Sequence, residues 1–265
     1  EEFYKTTTDL NETTTLLGSG TLTTADQAAY AALKLQLAAA QDLSLPHEPL
    51  FSTWFTKNSG QYARLYPTLA DMNLHNAVTT WSRGSGVQAT PTYAGVHQID
   101  YSADWVYVHS TGLPSHIMGP WYLNATKTNL FPNYPSNTAS IFRFPRVPTI
   151  PTNKTLFGGG TVGYFVDGVS VFDIRDAFYW NGSADVAGSG YWNRDAFVNE
   201  SVTFDNAGAH QAGKNHHYHA NPIAARYLLG DHVDFDETTN VYTESTGPVT
   251  RHSPIVGWVG DGLPI

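Results

Sequence analysis

Gly213-Lys214-Asn215-His216-His217-Tyr218-His219 sets three imidazoles within four positions, and His210 stands six residues before the first of them. On an extended strand side chains alternate with period two, so His217 and His219 project from one face while His216 and Tyr218 point to the other. Neutral imidazole is the commonest side-chain ligand for biological metals and is reached near pH 7. The His217/His219 pair therefore reads as a clamp that needs one or two further ligands. His252, just before Ser253-Pro254, is the first choice for the third, with His210 and His116 next; His252 and His116, which follows Pro114, lie near turns that can aim a side chain inward. Imidazole and carboxylate donors accept several divalent ions; raw affinity favours copper, with zinc as the alternative. Asp261 and Asp205 are candidates to receive the outer N–H of a ligating imidazole, although Asp261-Gly262 reads equally well as a turn. Tyr218 reads as a core aromatic, and His47, His75, His97 and His109, which lack comparable neighbours, read as structural.

Outward from this string the chain is mostly strand and turn. Tyr101 to Ser110, Ser140 to Phe144 and Val162 to Val171 are rich in β-branched and aromatic residues and are separated by Gly, Pro and Asn. The Gly158-Gly159-Gly160 run lacks the Lys-Ser/Thr of a phosphate loop and reads as a hairpin or loop. A short helix is expected over Asn221 to Gly230, with Pro222 at its first position. The N-terminal portion differs. Residues 1–22 are Thr-rich and suggest an extended arm, and Ala28 to Gln41, with Thr24 as cap, carries an apolar face at Tyr30, Leu33, Leu37 and Ala40. The expected fold class is thus mainly β: a sandwich- or barrel-like domain over 46–265, preceded over 1–45 by an arm and one N-terminal α-helix, with short helices elsewhere.

Composition narrows the function. Only 14% of the residues are charged, aromatic residues make up 13%, and the formal net charge is −9. That balance opposes binding through nucleic-acid phosphates, which needs a basic face. The chain has no cysteine, which excludes disulfides and thiolate metal sites. No apolar run of membrane-spanning length occurs. Asn11, Asn124, Asn153, Asn181 and Asn199 each open an N-x-[ST] triplet, a pattern expected of a secreted, N-glycosylated protein.

His216-His217-Tyr218-His219, followed by Arg251-His252-Ser253-Pro254-Ile255-Val256-Gly257-Trp258 and Asp261-Gly262-Leu263-Pro264-Ile265, resembles the YHYH-domain family. Thr111 to His116 (TGLPSH) is similar to that family's Gly-x-Pro-x-His stretch, and Gly168 to Asp176 (GVSVFDIRD) to its strand-and-turn element ahead of the histidines. The resemblance covers roughly 95–265. His216 stands where the family has its first Tyr, no cysteine occurs ahead of the string, and the family pattern continues past Pro-Ile, so the resemblance implies a domain cut short at Ile265. It implies a fold more than a reaction.

Three functions are compatible with these features. The first is a secreted metal-binding protein, copper-type, for capture or redox chemistry. The second is a zinc-dependent hydrolase or hydratase in which imidazoles polarise water. The third is a structural glycoprotein subunit of an extracellular fibre or sheath, self-associating through the N-terminal arm or helix. Neither a nucleophile elbow nor a dinucleotide or zincin motif occurs.

Overall fold

The computed structural model describes residues 23, 49–54, 60–155 and 158–265. The chain divides into two compact units, Glu1–Phe51 and Ser52–Ile265. The Thr-rich arm, the helix expected over Ala28–Gln41 and His47 lie outside the described residues.

In chain order the second unit runs β1 (Arg64–Leu65), α1 (Leu69–Asn73), β2 (Trp81–Arg83), β3 (Gly86–Gln88), β4 (Val96–Tyr101), β5 (Trp105–Ser110), β6 (Ile117–Met118), β7 (Ser140–Pro145), β8 (Thr161–Phe165) and β9 (Ser170–Phe172). It continues through β10 (Arg175–Trp180), β11 (Asp185–Ala187), β12 (Asn193–Asp195), α2 (Ala196–Glu200), β13 (Ala209–Ala212), β14 (Asn215–Tyr218), α3 (Ile223–Leu228), β15 (Val233–Asp236), β16 (Val241–Glu244) and β17 (Gly257–Val259). The mainly β expectation holds. The strands form several small open sheets rather than a barrel; no sheet closes on itself among the described residues.

Local chemistry explains the breaks. The Tyr101–Ser110 run is cut by a Ser102–Asp104 turn, where Ser102 accepts the Trp105 N–H on its hydroxyl. In β5 the residues then alternate cleanly, Val106, Val108 and Ser110 buried and Trp105, Tyr107 and His109 partly exposed, as expected for a strand with one face on the core. The Val162–Val171 run is likewise two antiparallel strands, folded at Gly168, whose φ of +78° is a conformation that Gly adopts at little cost. Helix α3 starts at Ile223 rather than at Pro222, which occupies its cap position.

The sheet that carries the histidines has the order β13-β14-β9-β8-β17. β13 and β14 form a hairpin across Gly213-Lys214, pairing Ala209 with Tyr218, His210 with His217, Gln211 with His216 and Ala212 with Asn215. Gly213 has φ +59°, as the first central residue of a two-residue hairpin turn requires. Beyond β14 lies β9 in parallel, with His217 opposite Ser170. Ala, Gln, Asn and His are poor strand formers, so burial on both faces and the turn decide this hairpin. Beneath one face sits a core of Phe165, Val169, Ala209 and Tyr218. A neighbouring core of Leu65, Trp81, Leu113, Met118 and Trp121 is tied to the hairpin by the Trp121 indole N–H, which donates to the Ala209 carbonyl at 2.9 Å.

Candidate metal centre

Antiparallel register sets His210 directly across from His217, on the same face of the sheet. His219 follows two residues later on that face. A carboxylate arrives from elsewhere: Asp195 ends β12 and caps α2 by accepting the Val198 N–H at 2.9 Å, and the helix ends at Glu200. The 3-10 turn Ser201–Thr203 then carries the chain toward β13.

Four ligand atoms converge. His210 Nε2 lies 3.0 Å from His217 Nε2, and His217 Nε2 lies 3.1 Å from His219 Nε2. Glu200 Oε2 stands 3.1 Å from His210 Nε2 and 3.4 Å from His219 Nε2. All four lie within 4.8 Å of one another and could hold a metal ion. Donors placed tetrahedrally at about 2.0–2.1 Å from zinc stand about 3.3 Å apart, so four of the six separations match that spacing.

The outer nitrogens settle which inner ones carry lone pairs. His217 Nδ1 contacts the Asn215 carbonyl at 3.1 Å, and His219 Nδ1 contacts the Asp173 carbonyl at 2.9 Å. Carbonyls only accept, so both Nδ1 atoms bear the proton. His210 Nδ1 meets the Thr203 hydroxyl at 2.7 Å, and that hydroxyl donates to the Glu200 carbonyl at 2.7 Å, leaving its oxygen to accept from His210. In the neutral rings every Nε2 therefore presents a lone pair to its neighbours. Only a cation or a shared proton relieves that arrangement, and three outer acceptors already in place are the usual setting of metal-bound imidazole.

Electrostatics agree. Burial pushes the His217 imidazolium down to about 3, with His210 adding to the effect. Burial also lowers His210, more than the Glu200 carboxylate raises it. For His219 burial is outweighed by Glu200 and the Asp173 carbonyl, so its pKa rises. Burial opposes ionisation of Glu200, but the hydrogen bonds from His210 and His219 prevail and hold its carboxyl well below the usual range. Without a metal, His219 is thus the ring of the three that holds its proton to the highest pH. Phe172 stacks on His217 with ring centroids 3.9 Å apart, and Phe204 meets His210 edge-on at 4.9 Å. The centre opens on a cleft of about 520 Å³ that Phe131, Arg175 and Gly158–Gly160 also line.

Of the five histidines singled out from sequence, the structure brings together His210, His217 and His219. His252 stands apart, exposed on the segment before β17, where its Nδ1 meets the Ser253 carbonyl at 2.6 Å and it borders a different cavity. His210, ranked behind His252 in the sequence, takes the third place, because the hairpin turn makes it the cross-strand partner of His217. His116 is buried on the opposite side of β14, its Nε2 2.8 Å from the Tyr218 hydroxyl. Asp205 and Asp261 do not receive imidazole N–H groups. Asp205 accepts backbone N–H bonds from Gly119, Ala207 and Ala209, and Asp261 accepts one from Leu263 within its turn. His216 is fully buried against Trp121 and turned away from the other three imidazoles. Glu200 escaped the sequence reading altogether: it belongs to no local motif, and only the return of the chain through Thr203 sets it against the hairpin.

Residues 141–265 match the family described as YHYH protein. No curated protein and no solved structure matches the chain. The matched segment contains all four converging residues, the GVSVFDIRD element that supplies Phe172 and the Asp173 carbonyl, and both C-terminal motifs, so the match to the YHYH domain covers the whole candidate centre.

Proposed function

We propose that this is a secreted, N-glycosylated metal-binding protein whose ion is held by His210, His217, His219 and Glu200, serving metal capture or redox chemistry. The observation that carries the reading is the convergence of three Nε2 atoms and one carboxylate oxygen while every outer nitrogen has an acceptor. Copper is the first choice of ion because imidazole and carboxylate donors bind it most tightly among the divalent first-row metals. Bound there, a copper ion would supply one-electron chemistry, and the chain's own part is to fix three imidazoles and admit small molecules from the cleft. The proposal of glycosylation is supported by the placement of Asn153, Asn181 and Asn199 at exposed positions.

A zinc-dependent hydrolase or hydratase is the second reading, favoured by the near-tetrahedral separations. In it the three imidazoles would hold the zinc, and the water that the ion activates would take the position beside Glu200. Elemental analysis of purified protein beside the His217→Ala/His219→Ala double variant tests both readings. A stoichiometric metal lost in the variant is the expected result, and undiminished metal there rules the site out. A type-2 copper signal in electron paramagnetic resonance separates copper from zinc.

A further inference from the structure

A second cavity, of about 380 Å³, lies apart from the histidine cluster and shares none of its four converging residues. Its volume falls in the range of small-molecule sites. Three aromatic rings form one wall: Phe235 stacks on Tyr242 with centroids 4.4 Å apart, and Tyr227 stands 5.5 Å from Phe235 and 5.7 Å from Tyr242. Arg64 and Asn240 belong to its polar lining, together with Gln61, Tyr66, Ser115, His116 and Asn206.

The hydrogen bonds of the Arg64 and Asn240 side chains are incomplete. The Arg64 Nη2 donates to the Ser115 carbonyl at 3.2 Å, yet its buried Nε has no partner. Asn240 is 91% buried; its Oδ1 accepts from the Tyr66 hydroxyl at 3.3 Å, while its buried Nδ2 has no partner. A buried donor left unsatisfied costs about 1–3 kcal/mol, and native proteins keep few of them. Asn240 is held firmly in this pose. It takes φ +55° at the end of the β15–β16 turn, and its carbonyl accepts from Asn206 Nδ2 at 2.7 Å. Both unsatisfied groups are donors, and among the described residues no Asp or Glu lines the cavity, in a chain with 23 acidic and 14 basic residues. His116, which also borders it, is kept from adding charge, since burial holds its pKa down to about 4.

We infer that this cavity binds a small organic carboxylate with a planar apolar body, the carboxylate accepting from Arg64 and Asn240 and the ring system lying against Tyr227, Phe235 and Tyr242. Guanidinium geometry suits a carboxylate better than any neutral acceptor. The aromatic wall rewards a flat partner that offset-stacks.

The test uses the full chain with 2-naphthoate as probe and 2-naphthamide as its neutral counterpart, followed by isothermal titration and by shifts of the tyrosine and phenylalanine ring resonances. One naphthoate per chain is expected, with at least tenfold weaker binding of the amide. Arg64→Gln should weaken naphthoate at least tenfold. Asn240→Gly, which keeps the left-handed backbone accessible and removes the whole side chain with its bond from Tyr66, should do so severalfold and keeps the test readable if the Arg64 variant unfolds. Absence of binding up to millimolar naphthoate overturns the proposal. So does equal affinity for acid and amide, or unchanged binding in the folded variants.

Discussion

Replacing Thr203 by Val tests the centre without touching any of its four converging residues. The two side chains have nearly the same shape, so the change deletes one hydroxyl. That hydroxyl accepts from His210 Nδ1 and donates to the Glu200 carbonyl, each at 2.7 Å, and so ties His210 on β13 to Glu200 at the end of α2. Removing an acceptor behind a ligating imidazole costs about 10–100-fold in metal affinity, or about 1.4–2.7 kcal/mol at about 1.4 kcal/mol per tenfold. Folding also suffers, because a half-buried carbonyl and an imidazole N–H lose their partner, at about 1–3 kcal/mol together. For a domain of this size that lowers Tm by about 2–4 °C per kcal/mol. The assay is competition for copper or zinc against a chromophoric chelator of known affinity, with Tm recorded on the metal-free protein. Thr203→Ser, which restores the hydroxyl, should recover most of the affinity. Thr203→Val binding within threefold of the parent, while His210→Ala abolishes binding, would refute the argument that the hydroxyl orients His210. Equal weakness of the Ser and Val variants would do the same.

Metal affinity should also depend on pH in a particular way. His210 and His217 have lowered pKa values and His219 a raised one, so just below the ordinary imidazole value of about 6.5 His219 is the ring that must release a proton to the entering ion. Affinity should therefore climb about tenfold per pH unit there and flatten above the raised His219 pKa; a dependence near a thousandfold per unit would mean that all three rings are protonated. Glu200→Gln removes the main group that raises His219, so the His219 ring resonances of the metal-free protein should titrate at lower pH than in the parent. An unchanged midpoint would remove Glu200 from the cluster. Trp121→Ala empties a fully buried site and deletes the indole bond to Ala209, with an expected loss of about 3–5 kcal/mol in urea unfolding; a loss below about 1 kcal/mol would show that Trp121 does not anchor the hairpin.

Much of this centre is legible in the residues, and one more step would have extended it. Period-two alternation separates His217 and His219 from His216 and Tyr218, and the structure keeps that division. A two-residue loop at Gly213-Lys214 makes paired positions sum to a constant, which couples His217 to His210 and leaves His252 out. That inference needs the turn to be recognised, and Ala, Gln, Asn and His give the flanking strands little propensity to announce it. Glu200 is a different case. Its position depends on a five-residue helix, a 3-10 turn and a hydroxyl contact, none with a sequence signature strong enough to point at a partner ten residues on. His116 and Asp205 show the converse: a turn-flanked His and a nearby Asp look like metal-site residues, yet each is absorbed in holding backbone or core. The fold class follows from composition and β-rich runs, whereas the division into small open sheets depends on where turns fall inside those runs.

β13 is the outermost strand of its sheet, and an unpaired strand edge is a place where chains can join or peel away. His210 sits on that strand, His217 and His219 on or just past its neighbour, and Glu200 on a helix outside the sheet. An ion shared among them would act as a clasp across the margin of the sheet, so that losing metal loosens the border first. Amide exchange at Ala209–Ala212 would then accelerate on chelation while β8 and β9 stay protected.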